Sequence, residues 1–454
     1  MNYPVLDELA SQPRHVVAIC GGAVSGSEAA ATCAAQGITA IVFDQNVRPY
    51  GKIEDGLPRW HDRLRAKEYK TIDENLGRPG VYFVPGTALG VGLPFDELVK
   101  QWGVSAVLLA NGAWRDRALP VPGAEDYVGK GLVYQNPFVH WFNHYDDPGY
   151  DGPQYSVTDD AIVVGGGLAS IDVVKIINLE LYRRSLRQRG IEVDVVAMEH
   201  AGITATLRKH RVDPDSLGVR GCTLYYRRRV RDMPLAFPYD TSPEEIARSL
   251  TAREKMIGVL MQKFRVHVKD CHVPVVPIVE GGRMVGLTFR RSEVRDGKAV
   301  EIQGSQFDVR SNFIVSSIGS VPEHIAGIPT RGELYNFSNP DTGTLAGLPD
   351  VFGLGNVLTG KGNIKDSRAN AKDISDRLLR DHLGLTDGHG PDSFAGAHEA
   401  AQAQAGALAA SALRRSKVRS DKMRTIAVAL ASRWQATGYD HGYASWIERH
   451  KPAC

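Results

Sequence analysis

Two glycine clusters, one acidic strand end and one run of arginines carry the chemistry legible in this 454-residue chain. The clearest cluster lies in AIVVGGGLASID, residues 161–172. Ile162, Val163 and Val164 read as a buried strand, and Gly165, Gly166 and Gly167 break it. Ile171, Val173, Val174, Ile176 and Ile177 resume at helical spacing. A strand that turns on glycines into a helix lets the backbone approach a pyrophosphate. It also aims the helix's free N–H groups and positive end at the phosphates. Against the fingerprint GxGxxG, Gly165 and Gly167 match, Leu168 follows them and Ser170 closes the motif. An earlier copy of the design, HVVAICGGAVSG, supplies Gly21, Ala23 and Gly26, with Ala23 where the second glycine belongs. Asp44 ends the next apolar run, Ile38 to Phe43, about 20 residues past the turn, where an acceptor for ribose hydroxyls is expected.

The arginines follow the second turn. Residues 180–231 hold twelve Lys and Arg against six Asp and Glu, so the basic character is local in a chain whose net charge is only +2. The strand-like CTLYY ends in RRRVRDMP. Arginine at such a strand end replaces the acidic ribose reader and pairs bidentately with a 2′-phosphate. Arg227 and Arg228 are the candidates, and they imply NADPH. The competing assignment makes Val193 to Met198 the ribose-reading strand, with Glu199 selecting NADH. The remaining basic residues suit either a docking face for an acidic electron-carrier protein or a solvated helix face.

The bulk properties exclude several classes. Cys20, Cys33, Cys222, Cys271 and Cys454 form no CxxC or CxxxxC pair, which argues against an iron–sulfur cluster, a structural zinc or a sequence-local redox disulfide. Any redox cofactor is then organic, and no metal is expected. Near-zero net charge gives no global pull toward nucleic acid or membrane. No apolar run approaches membrane-spanning length, and MNYPVLDELASQPR lacks a signal-peptide layout, so a cytoplasmic location is expected.

Further motifs carry a family resemblance. Asp44, RPYGKIEDGLP, ANGAW and LPVPG stand where the two-dinucleotide-domain flavoprotein reductases have an acidic strand end, an RPGG…GIP-like loop, an ATGA turn and PIPG. GGGLASID is similar to their GGGNTAMD, YYRRRVRDMP to VYRR…MP, and FIVSSIGS to VLSSIGY. The chain thus resembles adrenodoxin-reductase-type ferredoxin–NADP reductases and NADPH-dependent glutamate synthase small subunits. The resemblance implies FAD on the first turn and NADPH on the second. It places Gly51, Lys52, Ala110, Asn111 and Gly112 along the FAD. It also implies that His61, five residues after Gly56, lies beside the flavin; the plainer alternative is a helix cap. Gly355 and Asn356, then Gly362, Asn363 and Ile364, would pass the flavin pyrimidine, and Lys361 joins His61 as a candidate for proton handling.

The elements that must position these groups read as an α/β chain of two Rossmann-like dinucleotide-binding domains, the NADPH domain inserted into the FAD domain, with a C-terminal helical extension. The expected boundaries are 1–135 and 326–385 for the FAD domain, 136–325 for the NADPH domain and 386–454 for the extension. Residues 136–160 read as a polar, aromatic crossover, 242–264 as a helix, and 266–309 as a small sheet with hairpin turns at Gly281-Gly282 and Asp296-Gly297. In the extension, Ala395 to Leu413 and Thr425 to Trp434 read as helices that either cap the body or make an oligomer or partner contact. The expected function is an FAD-dependent oxidoreductase accepting hydride from NADPH and passing electrons to a carrier such as ferredoxin or flavodoxin. The alternatives are an electron-input subunit, as in glutamate synthase, and a non-catalytic flavoprotein or scaffold.

Overall fold

The computed structural model describes residues 3–238, 240–339, 342–359 and 395–451. After α1 (Pro4–Ala10), the first unit runs β1 (Val16–Cys20), α2 (Val24–Ala35), β2 (Thr39–Phe43), α3 (Lys52–Asp55), α4 (Asp62–Leu76), β3 (Val81–Val84), α5 (Phe95–Lys100) and β4 (Ala106–Leu109). Every residue of these four strands is buried, as continuous apolar runs in a parallel sheet covered on both faces require. The sheet order from its outer edge is β3-β2-β1-β4, with all pairs parallel. It is completed by strand Leu348–Gly353, which returns some 240 residues later to pair with β4. Two short antiparallel strands, Thr344–Leu345 and Phe337–Asn339, extend that edge to seven strands.

Between these halves lies the second unit. The chain leaves through β5 (Arg115–Asp116) and enters β6 (Leu132–Tyr134), α6 (Gln135–His144), β7 (Ala161–Gly165), α7 (Leu168–Arg187), α8 (Val195–Ala201), α9 (Ile203–Lys209), β8 (Cys222–Tyr225), α10 (Pro243–Phe264) and β9 (His267–Lys269). Strands β10 (His272–Glu280), β11 (Arg283–Arg295), β12 (Lys298–Glu301) and β13 (Phe307–Arg310) form an antiparallel sheet whose hairpins turn at the expected Gly281-Gly282 and Asp296-Gly297. Then β14 (Ile314–Ser317) closes a five-stranded parallel sheet, β6-β14-β7-β8-β9, and β15 (Ser320–Val321) leads the chain back. The exit and return strands β5 and β15 pair antiparallel, Ser320 opposite Asp116, and so form a two-stranded hinge.

Three readings change. Strand β6 lies inside the segment expected for the first domain, yet it hydrogen-bonds to β14 in the second sheet, so the 135/136 boundary falls one strand late. Residues 135–144 form a helix: Phe138, Val139, Trp141 and Phe142 bury one face against the second core, a pattern masked by its polar neighbours. Val195–Ala201 is helix as well, capped by the Asp194 side chain on the Ala197 N–H. The strand following α7 is therefore β8, which removes the basis for Glu199 as a ribose reader.

The described part of the C-terminal extension folds onto the first unit. Helix Ala395–Leu413 lies along α2, placing buried Ala401, Ala405, Ala409 and Ala412 against its small residues. Helix Ser420–Thr437 packs on α1, and Trp434 donates from Nε1 to the Phe83 carbonyl at 2.8 Å. Among the described residues no helix is long and apolar enough to cross a membrane.

Candidate functional site

The first turn is built by close backbone approach. Gly21 has φ +104°, and a Cβ there would lie 2.4 Å from the Ala110 carbonyl oxygen. At Gly26 a Cβ would lie 1.8 Å from the Gly21 oxygen, so α2 can start tight against β1 only with glycine at both positions. Ala23 is the N-cap of α2 and offers no side-chain cap, leaving the first-turn N–H groups to an anion. Its methyl faces Gly51, where a Cβ would stand 3.0 Å from it. The space lost at Ala23 is thus restored across the cleft. Asp44 accepts from the Gly22 N–H at 2.7 Å and the Asn46 N–H at 2.9 Å. Burial pushes its carboxyl up to about 6, against those two bonds.

Gly21, Ala23, Asp44 and Gly51 line a cavity of about 510 Å³, within the range of small-molecule sites. Ala110, Asn111 and Gly112 form one wall, and Asn111 Oδ1 is buried without a hydrogen-bond partner, as expected of a group meant for a ligand. Gly355 and Asn356 form another; Gly355 has φ +72°, and a Cβ there would meet Ser25 Oγ at 2.4 Å. Lys361, Gly362, Asn363 and Ile364 lie outside the described residues. The glycine cradle, the buried acid and the orphaned amide oxygen fit a dinucleotide with a flat ring system.

The opposite wall comes from the second unit. Leu168, Ala169 and Asp172, in the first two turns of α7, line the same cavity. Gly167 is the N-cap of α7, without a side-chain cap, and a Cβ on it would meet nothing within 4 Å, leaving room for a phosphate. Ser170 is fully buried and bonds inward: Oγ donates to the Ser317 carbonyl at 2.9 Å and lies 3.1 Å from Ser317 Oγ. It performs the packing task of the fingerprint's third glycine and presents no group to a ligand.

His61 sits at this junction. It is the N-cap residue of α4, but its side chain does not cap the helix. The Trp60 indole N–H donates to His61 Nε2 at 3.0 Å, which places the neutral ring's own proton on Nδ1. Asp172 Oδ1 lies 3.8 Å from the same Nε2. A carboxylate belonging to the other unit thus stands beside the ring. Trp60 itself is buried in the second unit's core, with the Lys175 ammonium 4.6 Å over its ring and Lys175 paired to buried Glu199.

Lys52 lines the cavity but is held at the hinge. Its Nζ donates to Asn136 Oδ1 at 3.0 Å and Ser320 Oγ at 3.1 Å, joining α3 to the start of α6 and to the return strand β15. Burial pushes it down to about 8, with Asp116 opposing.

At the end of β8 the two arginines diverge. Arg228 donates from Nε to the Tyr226 hydroxyl and from Nη1 to the Gly297 carbonyl, so the hairpin holds it. Arg227 is exposed, with no hydrogen bond or ion pair from its guanidinium among the described residues. Tyr226 links this end to the second turn, since a Cβ on Gly166 would lie 2.3 Å from its ring.

Sequence reasoning missed Trp60, Asn136 and Lys175, which act across units, and gave Glu199, the buried partner of Lys175, a different task. Only Trp60 carried a signal, its adjacency to His61. It also missed that Ala397 of the C-terminal extension lines the cavity. A larger cavity of about 860 Å³, between β3 and the C-terminal tail, contains none of the predicted site residues.

One Rossmann-like unit is inserted into another, and both open on a shared cavity. No family model matches the chain. Its homologues include the glutamate synthase [NADPH] small chain of Mycobacterium tuberculosis, 24% identical over 359 residues, covering 76% of this chain and 62% of that one. The chain thus spans under two thirds of that relative's length. The NADPH-ferredoxin reductase FprA of Mycobacterium leprae is 25% identical over 420 residues, covering 83% and 86% of the two chains. Mycobacterium tuberculosis FprA in complex with NADPH superposes with a TM-score of 0.63 at 20% identity, covering 93% of this chain and 91% of that structure, which shows a shared fold.

Proposed function

We propose that the chain is an FAD-dependent reductase that takes hydride from NADPH and delivers electrons to a small carrier protein. One observation carries this reading: the cavity behind the first glycine turn is walled by the start of the second turn's helix, so ligands on the two turns meet. FAD, when bound there, accepts an electron pair as hydride and releases it one electron at a time. The α2 N-terminus, with Gly21 and Gly26, holds its pyrophosphate, Asp44 accepts from its ribose, and Asn111, Gly355 and Asn356 lie along it. Gly165, Gly167 and the α7 N-terminus hold the NADPH pyrophosphate, while Arg227 pairs with the 2′-phosphate. His61 and Asp172 close the wall between the units next to the reacting region. Lys361 is a further candidate for proton handling. The homologues named NADPH-ferredoxin reductase support an iron–sulfur carrier as acceptor, and the local excess of basic residues supports an acidic one. We also place the reductase in the cytoplasm.

The test is spectroscopic. Protein incubated with FAD and desalted is yellow, and anaerobic NADPH bleaches it faster than NADH does. Adding ferredoxin or flavodoxin restores the colour with the carrier reduced. Protein that stays colourless with FAD overturns the reading; bleaching without any carrier reduction overturns the acceptor assignment.

A further inference from the structure

Where α3 meets α6, the first unit touches the second through a cluster that the reductase reading does not use. Asp55 ends α3. His140 and His144 stand one turn apart on α6, so their rings share a face. Asp55 Oδ1 lies 3.2 Å from His144 Nε2 and 3.8 Å from His140 Nε2, and the three candidate ligand atoms all lie within 4.8 Å of one another. Tetrahedral zinc, with bonds of about 2.0–2.1 Å, sets its ligand atoms about 3.3 Å apart. The Asp55–His144 edge already has this length, the Asp55–His140 edge must shorten by about half an ångström, and the third edge, between the two imidazoles, is at most 4.8 Å and must close to match.

The surroundings resemble those of a built metal site. Asp147 Oδ2 lies 2.7 Å from His144 Nδ1, the carboxylate–histidine arrangement that orients an imidazole and raises its basicity toward a metal on Nε2. Asn46 Nδ2 approaches the second Asp55 oxygen at 3.4 Å, leaving Oδ1 turned toward the rings. Between the two histidines, buried Asn143 donates to the Glu54 carbonyl at 2.8 Å and the Leu57 carbonyl at 3.0 Å, so α3 and α6 are already in register. The His144 side chain is 13% exposed and that of His140 44%, which leaves water a fourth position.

We propose that Asp55, His140 and His144 bind one divalent transition-metal ion of the zinc type, clamping the loop beside the cavity to the second unit. Two imidazoles and one carboxylate select such an ion over magnesium or calcium, which prefer all-oxygen shells. The proposal is independent of the cofactor reading. Without a metal, the cluster is held by the contacts of His144 with Asp55 and Asp147.

The test uses the full-length, untagged protein with whatever flavin it carries, stripped with chelator and titrated with Zn²⁺ against a chromogenic chelator. One equivalent per chain is expected to bind competitively. His140→Gln, at a half-exposed position where folding is not at stake, removes that equivalent, and so does His144→Ala. Asp147→Asn, which keeps a hydrogen-bonding side chain but loses the charge, weakens binding about 10- to 100-fold. Co²⁺ in place of Zn²⁺ gives visible bands of a low-coordinate site in the wild type and not in His140→Gln. Equal zinc uptake by wild type and His140→Gln overturns the proposal, as does a wild type that binds none.

Discussion

The C-terminal extension is fastened to the first unit by a histidine between two acids, and its strength depends on pH. His398 Nδ1 lies 2.5 Å from Glu28 on α2, and Nε2 lies 2.8 Å from Glu68 on α4. Burial works against charge on the imidazole, but the two carboxylates win and push it from 6.5 up to about 9. Burial likewise raises the Glu28 carboxyl, yet bonds from His398, Gln402 and Asn75 hold it below its ordinary value. A histidine whose folded value is raised stabilises the docked helix fully below about 6.5, and that contribution fades as pH rises through about 9. The interval of about 2.5 units at 1.36 kcal/mol each corresponds to about 3 kcal/mol. Hydrogen exchange of the amides around Ala401–Leu408, corrected for intrinsic rates, should show the helix's opening free energy falling by about this amount from pH 6 to pH 9.5. His398→Ala should lower it by a similar amount at pH 6 and flatten the profile. A wild-type opening energy that is constant across this window, or one that rises, would refute the assignment of a cationic His398.

Other outcomes follow from the same structure. Arg227→Ala should raise KM for NADPH about 10- to 100-fold, the worth of a charge-assisted contact, and leave KM for NADH unchanged; steady-state kinetics with both nucleotides checks this. Lys175→Met should cost about 3–5 kcal/mol in denaturant unfolding because it removes the ammonium paired to buried Glu199, whereas Lys175→Met with Glu199→Leu should recover much of that loss. Gly51→Ala should lower flavin retention on gel filtration, since φ is +53° there and the new methyl meets that of Ala23; about 1–2 kcal/mol of strain is expected. Burial lowers Lys52 to about 8, so its unfolded form binds the extra proton between about 8 and 10.5. Lys52 should therefore make stability rise with pH across that window, and Lys52→Met should remove the slope.

Much of the candidate site was legible because it is local. A glycine turn needs its strand, its glycines and its helix within a dozen residues, so AIVVGGGLASID and HVVAICGGAVSG announced themselves, as did the strand end carrying Arg227. The hairpins at Gly281-Gly282 and Asp296-Gly297 were readable for the same reason. The helix at 135–144 was not, because its four buried aromatic and aliphatic residues alternate with Gln, Asn and His. Nor could a strand be told from a helix at 193–198, where the apolar run is too short for its period to decide. The Asp194 cap settled it.

The sequence by itself determined two glycine-rich strand–helix turns, their order and an inserted topology, since each depends on neighbours along the chain. Only the tertiary structure decided what meets between the units: Asp172 beside His61, Lys52 pinned to the hinge, Trp60 buried in the other core and His398 locked onto Glu28. The physical reason is that these contacts join residues about 80 to 370 positions apart. No spacing rule along the chain encodes such pairs; the two sheets must first fold and be brought face to face.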